Sequence, residues 1–271
     1  MKRSIKEEAT VSCTLLFKAI LGLLAYIICT ILGIKGRVPS LYSHPVLIFV
    51  PFSHVFLCRF GDCHTAISAF SRRYYDVYLP VEGMIVIDAG AHIGTFTVKC
   101  AKKLQKLRRF VIISIEPEPD NFKLLKINIF LNKLKNVLPV FAALSHYTGK
   151  ARLYLHGFTG HSLVYTSDKY ILVHMYSLDD LCEKLRIPKV DLIKVNIEGG
   201  ELEFLKGSER TLKRTRALVI AAHHEPNEAN VISNFLKSRN FHTRIVFVKG
   251  NILVLAQSRG SLKTYNRMRV V

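Results

Sequence analysis

Asp88, Gly90, His92 and Gly94 follow an apolar run, Met84-Ile85-Val86-Ile87, and Glu116 stands 22 residues beyond Gly94 at the end of a second run, Phe110 to Ile115. Short apolar runs bounded by turn residues read as strands buried on both faces of a parallel sheet. Two glycines four apart, ahead of a helix opened by Thr95, allow a sharp turn beside a ligand and a close helix start. Asp88 is placed to orient that loop or to bond an ammonium or hydroxyl. An acid at the tip of the second strand can accept hydrogen bonds from both hydroxyls of a ribose. A second group, Asn196, Glu198, His223 and His224, falls at the ends of two later apolar runs. An imidazole near its neutral range can take a proton from a hydroxyl while a carboxylate orients it. The chemistry on offer is a nucleoside held beside a centre for group transfer.

Spacing narrows the nucleoside. A dinucleotide fingerprint needs glycine at 92 and near 95, where this chain has His92 and Thr95, and no Gly-Lys-Ser/Thr phosphate loop occurs. An adenosine without phosphates fits what remains, which makes S-adenosylmethionine the expected cofactor. The expected cofactor-binding residues are Asp88, Gly90, His92, Gly94, Glu116 and Ala143. His92 is expected to shape the loop by hydrogen bonds, and the small residues around Ala143 to let an adenine lie flat beside the backbone. The expected catalytic residues are Asn196, Glu198, His223 and His224. No metal is expected, because adjacent His223, His224 and Glu225 point in divergent directions on an extended chain.

The elements that must position these groups alternate. Strands are expected at 84–88, 110–115, from 137 through Leu144, at 191–197 and at 217–222. Helices are expected at 94–104, 119–131, from Ser177 as N-cap, from Gly200 to Leu212, and at 227–238. Extra strands at 151–156 and 170–175 flank a glycine-containing turn, and a hairpin pair, 242–248 and 251–256, closes the sheet. The fold class is α/β: a doubly wound, mostly parallel sheet with a C-terminal antiparallel strand pair. Before it, 38–83 reads as a small strand-rich cap against the cofactor loop, with Val46–Val50 and Val55–Cys58 as strands, a helical piece at 65–70, and Tyr74 and Tyr75 as packed aromatics. The main α/β unit is set at 84–258 and a basic tail at 259–271.

Residues Val11 to Ile34 are apolar except for Lys18, and the sixteen from Ala19 to Ile34 carry no charge. As a helix they rise about 24 Å, against about 30 Å for a bilayer core, and a snorkelling Lys18 would lengthen the span. Residues 1–37 are therefore expected to form a hydrophobic helix that associates with a membrane through residues 14–34. A signal peptide or a helix packed on the domain are the other readings. The flanking cations, Lys2, Arg3 and Lys6 before and Lys35 and Arg37 after, do not orient it. The cofactor is cytosolic, so the catalytic domain is expected on the cytoplasmic side; a soluble cytoplasmic protein is the alternative. Six cysteines without a C-x-x-C pair argue for reduced thiols. A formal charge of +19 implies anionic surroundings. Six cations between Lys99 and Arg109 contain no interleaved aromatic for base stacking, so membrane or glycan is the expected neighbour and nucleic acid is not.

Three stretches resemble the FkbM-type methyltransferases: Val86 to Gly94, Ile115-Glu116-Pro117 with Asn121 and Leu125, and Leu192 to Glu201. Ala142 to Ser145 with Gly149, and Ser177 to Leu181, match between them. The resemblance covers roughly residues 70–256. It implies a class I methyltransferase (Rossmann-like) fold, S-adenosylmethionine as donor, and O-methylation of a sugar or natural-product hydroxyl. One departure stands out: the family commonly has aspartate where this chain has Asn196. The expected function is methylation of a sugar, glycan or lipid-linked hydroxyl at a membrane surface. The alternatives are an RNA methyltransferase, suggested by the charge, and a cofactor-binding module without transfer activity, suggested by Asn196.

Overall fold

A computed structural model of the chain describes residues 45–50, 54–59, 62, 84–105, 109–157, 160–248 and 250–260. The expected anchor at 14–34, the helical piece at 65–70, Tyr74, Tyr75 and most of the basic tail lie outside them. No helix among the described residues is long and apolar enough to cross a membrane.

In chain order the elements are β1 (Pro45–Val50), β2 (His54–Arg59), β3 (Met84–Ala89), α1 (Thr95–Leu104), β4 (Phe110–Glu116) and α2 (Pro119–Leu131). Then come β5 (Val137–Phe141), β6 (Ala143–Ser145), β7 (Gly149–Tyr154), β8 (Tyr170–Ser177), α3 (Leu178–Lys184) and β9 (Leu192–Val195). The chain ends with α4 (Glu201–Lys206), α5 (Glu209–Leu212), β10 (Ala217–Ala221), α6 (Glu228–Lys237), β11 (Phe241–Val248) and β12 (Asn251–Ser258). The main sheet has seven strands in the order β11-β12-β10-β9-β3-β4-β5. All neighbours from β10 to β5 are parallel, and β12 runs antiparallel between β10 and β11. The strand order reverses direction between β3 and β9, the crevice where open α/β sheets hold their ligands.

The continuous apolar runs are explained by burial on both faces. Ile87, Ile113, Ile193, Leu218 and Val254 pack on one side with Leu178, Phe204 and Ile232 from α3, α4 and α6. Val86, Ile112, Leu192, Val219 and Leu255 pack on the other with Val98, Ala101 and Leu104 of α1. Period-two alternation along each strand divides it between the two cores.

Two expected elements are broken by the fold. The third strand was expected to run through Leu144, but it ends at Phe141, and β6 pairs in a separate three-stranded sheet, β6-β8-β7. The Ala143 side chain accordingly packs with Leu153, Val173 and Met175 in that sheet's apolar cluster. The helix expected from Gly200 to Leu212 divides at Gly207–Ser208 into α4 and α5. Gly207 lies against β6 so closely that a Cβ there would fall 2.1 Å from the Ser145 carbonyl oxygen.

Candidate functional site

The loop between β3 and α1 is pinned from β4. The amides of Gly90 and Ala91 both donate to the Ile115 carbonyl, at 3.1 and 2.9 Å. His92, held at φ 52°, donates its amide to Glu116 Oε2 at 2.8 Å. Gly90 is required at φ 73°, and a Cβ there would sit 1.9 Å from the Asn196 carbonyl oxygen. Any side chain at this position would thus collide with the backbone beyond β9. Gly94 is set against Leu125 of α2, 2.7 Å from where its Cβ would lie.

Glu116 is 5% exposed at the tip of β4. Its Oε1 accepts from the Glu118 amide at 3.0 Å and from Asn121 Nδ2 at 3.4 Å. Burial nevertheless pushes its pKa up to about 7, and the nearby Glu118 carboxylate adds to the rise. Desolvation thus outweighs the three hydrogen bonds this carboxylate already accepts, and further donors would ease its ionisation. A vicinal diol would supply two, so the residues present fit the ribose of an adenosine.

Asp88 is fully buried, so its part is inside the loop's support. Thr97 Oγ1 donates to its Oδ2 at 2.6 Å, and Lys194 Nζ lies 3.0 Å from its Oδ1. Asp88 thus both supports the loop and meets an ammonium and a hydroxyl, as its two expected uses allowed: Lys194, on β9, also donates to the Gly90 carbonyl at 2.7 Å. A lone lysine in an otherwise apolar strand was the sequence signal for this pair, and it was missed.

Beyond β9, the Asn196 amide donates to the Ala89 carbonyl at 3.1 Å, and its Oδ1 is buried without a hydrogen-bond partner. Glu198 (φ 59°) and Gly199 (φ 95°) then turn the chain in two left-handed steps into α4. The turn is braced by the loop between β7 and β8: Ser162 Oγ donates to the Glu198 carbonyl at 2.7 Å, and Tyr165 packs where a Gly199 side chain would be.

This turn brings Glu198 to His224, whose side chain is 10% exposed. His224 Nδ1 is 3.9 Å from Glu198 Oε2, and its Nε2 is 3.8 Å from Glu201 Oε1. Glu201 was not anticipated. It is fully buried, takes the Ile197 amide on Oε1 at 2.9 Å, and has no hydrogen-bond partner on Oε2. Burial pushes its pKa up to about 7, with His224 pulling the other way. Tyr165 donates its hydroxyl to Glu225 Oε1 at 2.8 Å, and burial with that bond pushes the phenol to about 12. His223 is exposed and lies against the His224 ring, centroids 4.4 Å apart, with burial and His224 lowering its pKa. Of the two histidines, His224 is the one between carboxylates. Among the described residues, no group of three His, Cys, Asp or Glu is arranged to hold a metal ion.

The site thus has one group, Gly90–Gly94 with Glu116, whose shape and buried carboxylate fit a nucleoside, and a second group, Asn196, Glu198, Glu201 and His224, that brings an imidazole between carboxylates; they meet where Gly90 touches Asn196. The methyltransferase FkbM domain matches residues 88–243. Hexuronic acid methyltransferase AglP of Haloferax volcanii is 27% identical over 143 residues, 52% of this chain and 57% of that one. Methyltransferase sdnD of Sordaria araneosa is 25% identical over 207 residues, 64% of this chain and 79% of that one. The crystal structure of methyltransferase FkbM from Methylobacillus flagellatus superposes with a TM-score of 0.52 at 19% identity, over 68% of this chain and 47% of that one. The chain therefore spans about half the length of AglP and of that FkbM structure, and the solved structure speaks for the fold alone. Because the domain match covers more than half of the chain and both halves of the site, this protein belongs to the FkbM methyltransferase family.

Proposed function

We propose that the protein is an S-adenosylmethionine-dependent O-methyltransferase acting on a hydroxyl of a sugar, glycan or lipid-linked acceptor. The observation that carries this reading is His224, placed between Glu198 and Glu201 with its Nε2 buried, facing Glu201 Oε1 at 3.8 Å without a hydrogen bond. Family membership brings S-adenosylmethionine as donor. Glu116 would accept from its ribose, the Gly90–Gly94 loop would border its methionine part, and Asn196 Oδ1 would face it. When bound, that group supplies an electrophilic methyl on a sulfonium, which departs as a neutral thioether.

The chain's own task is alignment and removal of one proton. His224 Nδ1, on the more open Glu198 side, takes the acceptor's hydroxyl proton. Glu201, facing Nε2, holds the ring and stabilises the imidazolium that forms, as a buried carboxylate does behind a catalytic histidine. Glu198, 32% exposed, is placed to accept from a second hydroxyl of the acceptor.

The charges near this mouth favour a hydroxyl-rich acceptor over nucleic acid. Glu198, Glu201, Glu225 and Glu228 gather around His223, His224 and Tyr165. A phosphate backbone would meet carboxylates there, despite the chain's +19. The name of the Haloferax volcanii relative, with a hexuronic acid as acceptor, adds support for a sugar. Association with a membrane through residues 14–34, on its cytoplasmic face, is part of the proposal.

The test uses donor labelled in its methyl group, purified protein and cell fractions. Label should enter glycan or lipid-linked material, and His224→Gln should cut transfer by roughly 10²–10⁴-fold while S-adenosylhomocysteine affinity is kept. Label entering RNA alone, or undiminished transfer by the variant, would overturn the proposal.

A further inference from the structure

Arg59, Asp62, His92, Glu116 and Asn121 close a ring of polar contacts, and the reaction derived above gives no role to Arg59, Asp62 or Asn121. Arg59 Nε donates to Asp62 Oδ2 at 2.7 Å, and its Nη2 donates to Asn121 Oδ1. Asn121 Nδ2 donates to Glu116 Oε1 at 3.4 Å, and the His92 amide to Glu116 Oε2 at 2.8 Å. His92 Nε2 returns to Asp62 Oδ1 at 3.7 Å. Asp62, Glu116 and Asn121 are buried, and the Arg59 side chain is 12% exposed. Arg59 and Asp62 precede residues 88–243, the span of the family match.

A second connection runs in parallel. Asn128 of α2 takes the Leu57 amide on Oδ1 at 2.7 Å, and its Nδ2 donates to the carbonyls of Leu57 at 3.0 Å and Ile93 at 2.8 Å. Asn132, one turn on, takes the Val55 amide at 3.3 Å and donates to the Val55 carbonyl at 2.7 Å. Four helical residues rise about 6 Å and two strand residues span about 6.6 Å, so the two amides match the spacing of a missing strand. They complete the edge of β2 that β1 does not pair. Asn128 therefore ties the hairpin directly to the loop between β3 and α1.

We propose that the β1–β2 hairpin is part of the donor site, with Arg59 and Asn128 as positioning residues. They hold Glu116 and the Gly90–Gly94 loop in the arrangement the adenosine needs, so hairpin docking and donor binding form one coupled equilibrium. This rests on the reading that the adenosine lies against Glu116. The coupling follows from the contacts: Arg59 fixes which way the Asn121 amide faces, and that amide aims a donor at Glu116. What the hairpin does for the nucleoside, the nucleoside must do for the hairpin, because coupling free energies are reciprocal.

The test is titration of S-adenosylhomocysteine by calorimetry into the full chain and into Arg59→Gln, Arg59→Lys and Asn132→Ala, at a temperature well below melting. Asn132 touches Val55 and the Asn128 carbonyl, and no atom of Glu116 or of the 90–94 loop. Amide exchange of Val55 to Cys58 is followed with and without the same ligand. Dissociation constants are expected to rise on the order of tenfold in Arg59→Gln and Asn132→Ala. Arg59→Lys should recover only part, since lysine lacks the guanidinium fork. The ligand should slow exchange in β2 of the unaltered protein, a readout that needs no variant to fold. Unchanged affinity in the folded variants, with β2 exchange indifferent to ligand, would leave the hairpin a purely structural attachment and defeat the inference. Failure of the unaltered protein to bind S-adenosylhomocysteine would instead defeat the donor-site reading on which it rests.

Discussion

Glu116 offers the sharpest test of where the nucleoside sits, because its own ionisation reports on it. Its pKa is raised from 4.5 to about 7 by burial. The folded chain therefore binds this proton more tightly than the unfolded chain does. Stability contributed by the protonated group is complete below pH 4.5, declines as pH rises through about 7, and then levels off. A shift of that size corresponds to about 3 kcal/mol at 1.36 kcal/mol per unit. A ligand diol donates to the ionised carboxylate, so it binds the form that the empty fold disfavours. Calorimetric affinity for S-adenosylhomocysteine should accordingly rise about thirtyfold from pH 5.5 to 8, following the ionised fraction. In Glu116→Gln that slope should vanish, affinity at pH 8 should drop, and the ligand-free protein should melt higher than the unaltered one above pH 7. Equal slopes in both proteins, or no slope in either, would refute the assignment of this carboxylate to the ribose.

Gly90→Ala sets a Cβ 1.9 Å from the Asn196 carbonyl oxygen at φ 73°, and should cost roughly 3 kcal/mol or more in urea unfolding; a loss under 1 kcal/mol would deny the close approach of β3 and β9. Lys194→Met leaves the buried Asp88 carboxylate without its ammonium and should cost about 3–5 kcal/mol, while Lys194→Met with Asp88→Asn should cost less than the two single changes together. Additive losses would show that the two groups do not act as a pair. Deleting residues 1–36 should release the protein from membrane fractions, and an unaltered protein already in the supernatant would end the anchor reading.

Much of the scaffold was legible because its signals are local. β4, α2 and most other strands and helices begin and end within a residue or two of where apolar runs meet caps and turns. Ser177 caps α3 through the Asp180 amide, as its spacing with that residue implied. What failed were boundaries imposed from outside the segment. Ala142 ends the third strand because the next residues pair with β8, and Gly207 interrupts the expected long helix because β6 passes too close for a side chain.

The candidate site divides along the same line. Residue types at strand ends, with their spacing, were by themselves enough to single out Gly90, Gly94 and Glu116 as one candidate group and Asn196, Glu198 and the histidine pair as another. Such groups are set out along the chain by the α/β alternation, which a one-dimensional pattern records. Only the tertiary structure decided which side chains are turned inward and whom they meet. Asp88 closes on Lys194, 106 positions away, and His224 rather than His223 falls between Glu198 and Glu201. Asn121 and Asn128 of α2 and its C-cap Asn132, on one face, meet a hairpin more than sixty residues earlier. Burial and charge pairing depend on distances across the fold, and a sequence gives no distance between strands until they are packed.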